Sequence, residues 1–146
     1  MSFVLVEFDA ETQTVDLAID GNGFIALTSG LETPSLLSAL SNRRADRPMD
    51  EPYGWWADEY AEVQGDRYGS HVWLRQSKGK LRSQNLRLTA LAVEDSLMWM
   101  VSDGLASSVV VTSERVNPHI IRVQARIMRP NDNAFHDIWE IHESAV

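Results

Sequence analysis

The stretch SQNLRLTALAVEDSLMWMVSDG, residues 83 to 104, constrains the fold more than any other part of the chain. Leu86, Ala90, Val93, Leu97, Met100 and Val101 recur at spacings of three and four, which gathers them on one face of a helix. Ser83 stands where a cap belongs, and Gly104 lies just past the last apolar position, where a left-handed residue ends a helix. Such a helix is about 30 Å long at 1.5 Å per residue. Leu88, Leu91, Ala92 and Trp99 widen its apolar face beyond one stripe, so more than one layer is needed to cover it.

One of those layers follows directly. SSVVVTSERV (107 to 116), HIIRVQARIM (119 to 128) and AFHDIWEI (134 to 141) are separated by turn signals at Asn117-Pro118 and at PNDN, residues 130 to 133. In the middle segment Ile121, Val123, Ala125 and Ile127 alternate with Arg122, Gln124 and Arg126, the period of a half-buried strand. This predicts a three-stranded antiparallel meander with one face against the helix, and therefore an α+β fold. Upstream, FVLVEF (3 to 8) and TVDLAI (14 to 19) predict a β-hairpin, with Val15, Leu17 and Ile19 on its apolar face. DGNG (20 to 23) predicts a turn and FIAL (24 to 27) a further short strand. A short helix is expected over about 33 to 42, with Thr33 as its cap, Pro34 at its first helical position and Leu36, Leu37 and Leu40 facing inward.

Residues 43 to 80 break every long period, because Pro48, Pro52, Gly54, Gly65, Gly69 and Gly79 interrupt them; HVWL (71 to 74) is expected to be a brief strand. Loops of this length in compact domains are usually functional or disordered. Tyr53, Trp55, Trp56 and Tyr60 favour order, since each indole can remove roughly 200 Å² from water. One domain spanning 1 to 146 is expected, with neither repeats nor low-complexity tracts.

Composition excludes several chemistries. There is no cysteine, so disulfides, thiolate metal sites and cysteine nucleophiles are absent. A net charge of −8 disfavours binding to a phosphate backbone, and nucleic acid is not an expected partner. The N-terminal MSFVLVEFDAETQ lacks a basic segment and its apolar run stops at Phe8, unlike a signal peptide or membrane helix. His71, His119, His136 and His142 show no metal-ligand spacing, and DGNG lacks the lysine and strand-to-helix setting of a phosphate loop. No nucleophile elbow is present. No metal and no cofactor is expected.

Asp58, Glu59 and Glu62 raise the possibility of a carboxylate pair of the glycosidase type, but acids this close in sequence are more often a solvated face. Charge is otherwise segregated. Residues 48 to 66 hold six acids (Asp50, Glu51, Asp58, Glu59, Glu62, Asp66) and no base, and residues 75 to 87 hold five bases (Arg75, Lys78, Lys80, Arg82, Arg87) and no acid. The blocks either pair internally or make two poles for docking. NRRADR (42 to 47) adds Arg43, Arg44 and Arg47, which suit an interface or cap the preceding helix.

The ordered series SNRRADR (41 to 47), YGWWADEY (53 to 60), GDRYGSHVWLRQSK (65 to 78) and DSLMWMVSDGLASSVVV (95 to 111) resembles the Mu-like phage baseplate wedge family (gene product 46 type). That family is itself distantly similar to the lysozyme-like baseplate wedge proteins of contractile tails and to the corresponding subunit of type VI secretion systems. The likeness runs from about 15 to 141 and departs from the family pattern at Ser41-Asn42 and Pro52-Tyr53. It implies a structural protein without catalytic activity, present in several copies in a sixfold baseplate. Other wedge subunits, the first sheath layer and hub or tube proteins are its implied partners. The implied location is the virion tail baseplate, with the host cytoplasm during assembly. Arg43, Arg44, Trp55, Trp56, Asp66 and Arg67 take on importance as docking residues through this resemblance; Gly69, Ser70, Trp73, Trp99, Asp103 and Gly104 do so as packing residues. Arg47, Asp58, Glu59 and Arg75 join the expected interface, and Gly54 the structural set. The tryptophan pair is expected to pin the loop against the domain or a neighbouring subunit, with the acids outward. A lysozyme-type glycoside hydrolase and a bacterial adaptor module are the competing readings.

Overall fold

The expected long helix forms in two pieces, α3 (Ser83–Leu97) and α4 (Trp99–Ser102). They join at Met98, where the Met98 N–H donates to the Asp95 carbonyl at 3.3 Å, one residue short of the α-helical partner. The local cause is Ser96, whose hydroxyl donates to the Val93 carbonyl at 2.7 Å; back-bonding of this kind bends helices. At the far end Gly104 adopts φ +73. Its N–H donates to the Val101 carbonyl at 3.1 Å and the Leu105 N–H to the Met100 carbonyl at 2.8 Å, the two bonds of a Schellman cap. The computed structural model describes residues 3–9, 11–12, 14–28, 30–48, 53–64, 66–76, 83–131 and 133–142.

The meander follows as β5 (Ser108–Asn117), β6 (Ile120–Met128) and β7 (Ala134–His142), antiparallel in the order β5-β6-β7. Ile121, Val123, Ala125 and Ile127 of β6 are buried together with Val109 and Val111 of β5, as the alternation requires. Helix α3 lies on this face. Ala90, Val93 and Leu97 meet the strands, and Met100 and Ala106 continue the same cluster. Glu94 Oε2 accepts the Val111 N–H at 3.1 Å and the Ser113 hydroxyl donates to the Leu86 carbonyl at 2.7 Å, so α3 also occupies the outer edge of β5.

The second layer over α3 is α1 (Glu32–Leu40), which brings Leu36 and Ala39 to the core. It begins one residue before the expected start, after Leu31, and has no side-chain cap. Thr33 sits inside the first turn and works at longer range: its hydroxyl donates to the Val4 carbonyl at 2.6 Å and accepts the Val6 N–H at 3.2 Å. Pro34 is the third helical residue, where an unpaired N–H would otherwise stand. Thr33 thereby ties α1 to β1 (Phe3–Val4) and β2 (Val6–Asp9).

The N-terminal hairpin pairs β2 with β3 (Thr14–Leu17), while β1 pairs separately with β4 (Leu27–Thr28). The expected apolar face of the hairpin is not buried, and all four residues of β3 are exposed. Ala18 is buried, whereas Val15, Leu17 and Ile19 are exposed. A two-stranded ribbon has one neighbouring layer, and here that layer is reached through Val6 and Ala18, so the larger side chains of β3 are left uncovered. Asp20 closes the turn that follows, its Oδ1 accepting the N–H groups of Asn22 and Phe24 at 2.9 and 3.0 Å. Those bonds hold its carboxyl below the usual carboxylate range, the one from Phe24 most strongly.

The segment HVWL is not the expected strand: His71 and Val72 form a turn, and Trp73 and Leu74 open α2 (Trp73–Gln76), a single helical turn. No described strand lies in register to pair with it, and the Ser70 hydroxyl accepts the Val72 N–H at 3.4 Å at its start. Lys78, Lys80, Arg82, Asp50 and Glu51, five members of the two expected charge blocks, lie outside the described residues, as do Gly65 and Gly79.

Candidate functional site

Between α1 and α3, the described residues around 41–43 and 70 are joined by backbone bonds across the chain. Asn42 and Ser70 form a parallel bridge, with the Arg43 N–H on the Ser70 carbonyl (2.9 Å) and the Ser70 N–H on the Ser41 carbonyl (2.8 Å). The Ser70 hydroxyl donates to the Ala39 carbonyl at 2.5 Å, and Ser70 is buried. Gly69 makes the crossing possible. It holds φ +92, and a Cβ there would stand 2.6 Å from the Ser41 carbonyl oxygen. Gly54, at φ +114, is pressed against Arg44, whose Cβ would lie 2.7 Å from an added methyl.

Trp73 is the indole that fastens this segment. Its Nε1–H donates to the Arg43 carbonyl at 2.9 Å, and the ring of Tyr53 meets it edge-on at 4.6 Å. Tyr53 itself has φ +51, the positive φ of a non-glycine residue that turns the chain into Gly54. Trp99 performs the same office from α4, its Nε1–H donating at 3.0 Å to the buried Ser38 hydroxyl of α1. Sequence reasoning named both indoles but not their acceptors; a serine among leucines on α1 was the available signal for Ser38.

Of the arginines here, Arg43 turns inward, while Arg44, Arg47 and Arg67 stay exposed. Arg43 reaches Asp95 on α3 at 2.5 Å and the Arg67 carbonyl at 2.8 Å. Arg44 pairs with Glu59 at 3.3 Å and Arg67 with Asp46 at 3.4 Å, both at exposed positions where such pairs contribute little. Arg47 is exposed. Arg75 lies in α2 with its Nε buried and unpaired among the described residues.

Trp55 and Trp56 are not covered by the domain. Trp56 is 70% exposed and Trp55 49%, with ring centroids 5.6 Å apart. Trp55 also tilts toward Tyr68 at 6.2 Å, and Trp56 meets Tyr60 edge-on at 6.4 Å. A 3-10 turn, Trp56–Tyr60, sets this spacing. Asp58 faces in rather than out: its Oδ1 accepts the Tyr68 N–H at 3.1 Å, and its Oδ2 is buried with no partner among the described residues. Tyr68, which sequence reasoning missed, is half-buried between these groups, and burial pushes its phenol above the ordinary tyrosine range against the opposing influence of the Ser41 and Ser38 hydroxyls.

These residues border a groove of about 720 Å³ between the loop and the α3–α4 junction. Trp55, Asp58, Asp66, Arg67, Trp99 and Asp103 are among its lining. Asp103 is the C-cap of α4, next to Gly104. Chemically the groove offers aromatic surface and carboxylates. Among the described residues, no group of three or more histidines or acids is placed to hold a metal ion, and no helix is long and apolar enough to cross a membrane.

The model of the family described as phage protein GP46 matches residues 31–134, from the start of α1 to the start of β7. The chain belongs to the phage protein GP46 family. A relative, the Mu-like prophage FluMu protein gp46 of Haemophilus influenzae, is 29% identical over 122 residues, covering 80% of this chain and 88% of that protein. The GP46 match includes both walls of the groove, and it leaves out the N-terminal hairpin.

Proposed function

We propose that this GP46 protein is a structural, non-enzymatic component of a contractile-tail baseplate wedge, docking to neighbouring baseplate subunits and to sheath or hub proteins during tail assembly. Membership of a phage family and likeness to a Mu-like prophage protein support a role in the phage particle. The observation that carries the docking role is the pair Trp55 and Trp56, left exposed beside a 3-10 turn that Asp58 ties to the Tyr68 N–H. Large exposed aromatics held rigidly are the usual anchors of protein interfaces, because little side-chain entropy is lost when they are covered. Asp66 and Arg67 line the same groove as Trp55, and Arg44 pairs with Glu59 of the turn that carries Trp56; with Arg43, Arg47 and Arg75 they are the polar residues assigned to the interface on this reading. On this reading the protein resides in the virion baseplate and passes through the host cytoplasm during assembly.

The test is to induce a lysogen, purify the tails and locate the chain by mass spectrometry and electron microscopy. Recovery at the baseplate in several copies per tail is the expected outcome; absence from intact tails overturns the proposal. The glycosidase reading has less in its favour, since Asp58 and Glu59 are engaged by the Tyr68 N–H and by Arg44.

A further inference from the structure

The groove between the loop and the α3–α4 junction has a one-sided chemistry. Three of its lining residues are carboxylates, Asp58, Asp66 and Asp103, and one is a cation, Arg67, already within 3.4 Å of Asp46. Asp66 and Asp103 are exposed and make no ion pair among the described residues. Among the described residues nothing donates to Asp58 Oδ2, which is shut off from solvent, an arrangement that costs stability until a donor arrives. The aromatic walls point the same way. The Trp99 N–H is committed to Ser38, so that indole offers its ring, and Trp55 is half exposed. Indole faces attract cations.

We infer that this groove receives an arginine-bearing segment of a neighbouring polypeptide, the guanidinium stacking on Trp55 or Trp99 and pairing with Asp66 and Asp103. Arginine suits the site better than lysine, because its planar fork stacks on a ring and bonds a carboxylate through two N–H groups at once. At about 720 Å³ the groove is larger than one side chain and accommodates the flanking residues as well. The net charge of −8 favours the approach of a basic partner. The inference rests on the docking role proposed above and adds the chemistry of the partner.

The experiment is an NMR titration of the full chain, following the indole N–H signals of Trp55 and Trp99, each assigned from a Trp→Phe variant. The probes are the blocked peptide acetyl-Gly-Leu-Arg-Leu-Gly-amide, its citrulline counterpart and chitohexaose. The arginine peptide is expected to shift both signals, with an affinity that weakens as salt is raised. The citrulline peptide should bind about ten-fold more weakly, and D66N/D103N should lower the arginine affinity by about the same factor while leaving the melting curve unchanged. Equal binding of the citrulline peptide, stronger binding of chitohexaose, or no response to the arginine peptide overturns the assignment. The two proposals fail separately. Absence of the protein from purified tails removes the structural role whatever the peptide does, whereas a baseplate protein indifferent to arginine removes only this inference.

Discussion

Ser38 and Trp99 stand 61 positions apart and share one hydrogen bond of 3.0 Å. Ser38 is 1% exposed, so its removal leaves an indole N–H without a partner in a place water does not reach. Ser38→Ala is expected to lower unfolding stability by about 1–2 kcal/mol. The double variant Ser38→Ala/Trp99→Phe should lose less than the sum of the singles, as read from urea denaturation, because no buried donor is then orphaned. Gly69 is constrained differently. Gly69→Ala places a methyl 2.6 Å from the Ser41 carbonyl at φ +92, and should cost about 2 kcal/mol or more by breaking the Asn42–Ser70 bridge. A melting temperature unchanged from the parent would refute that placement. Both effects belong to residues the sequence pointed to, Trp99 and Gly69, acting through partners it did not reveal.

At the scale of elements, α3 carries the clearest contrast. Leu97 is fully buried and Leu91, about a third of a turn away around the helix, is 47% exposed. Leu97→Ala should therefore cost about 3–5 kcal/mol, and Leu91→Ala under about 1 kcal/mol, in the same denaturation assay. The N-terminal turn gives a pH signature instead. Backbone N–H groups stabilise the ionised carboxylate of Asp20, and a hydroxyl and N–H groups from Thr12 and Glu11 do the same for Asp9. A depressed folded pKa means that each contributes stability above the pKa of the unfolded chain, and that this is lost as pH falls through the folded value. Asp9→Asn/Asp20→Asn, which keeps an acceptor oxygen in each turn, should flatten the acid limb of the stability profile below about pH 4. An acid limb as steep as the parent's would assign it to other carboxylates. Periodicity located α3 and the meander because each buries a repeating face. It missed the break at Met98, where Ser96 bonds back to Val93 and the helix tightens to an i→i−3 bond, and it misjudged HVWL, whose Trp73 and Leu74 open α2 and which no described strand pairs with.

For the molecule as a whole, the decisive surface is the one the domain leaves open. Trp56 contributes little to the fold at 70% exposure, so Trp56→Ala should shift stability by under about 0.5 kcal/mol. The same variant is expected to reduce incorporation into purified tails markedly, as measured by quantitative mass spectrometry against other tail proteins; full incorporation would show that the aromatic pair is not an anchor. Sequence alone determined the α+β class, the long helix, the meander and its buried face, and the absence of thiol chemistry, since each depends on a local period or on residue inventory. It also carried the resemblance to a phage family that the GP46 match now supports. Tertiary structure decided which tryptophans fasten the loop and which remain outside. Trp73 and Trp99 find acceptors at Arg43 and Ser38, and Trp55 and Trp56 do not meet the core. Nothing in WW or in DEY encodes that division, because whether an indole or a carboxylate is buried depends on what distant segments bring beside it. Asp58 turns inward only because Tyr68, ten residues away, presents its N–H at the right place.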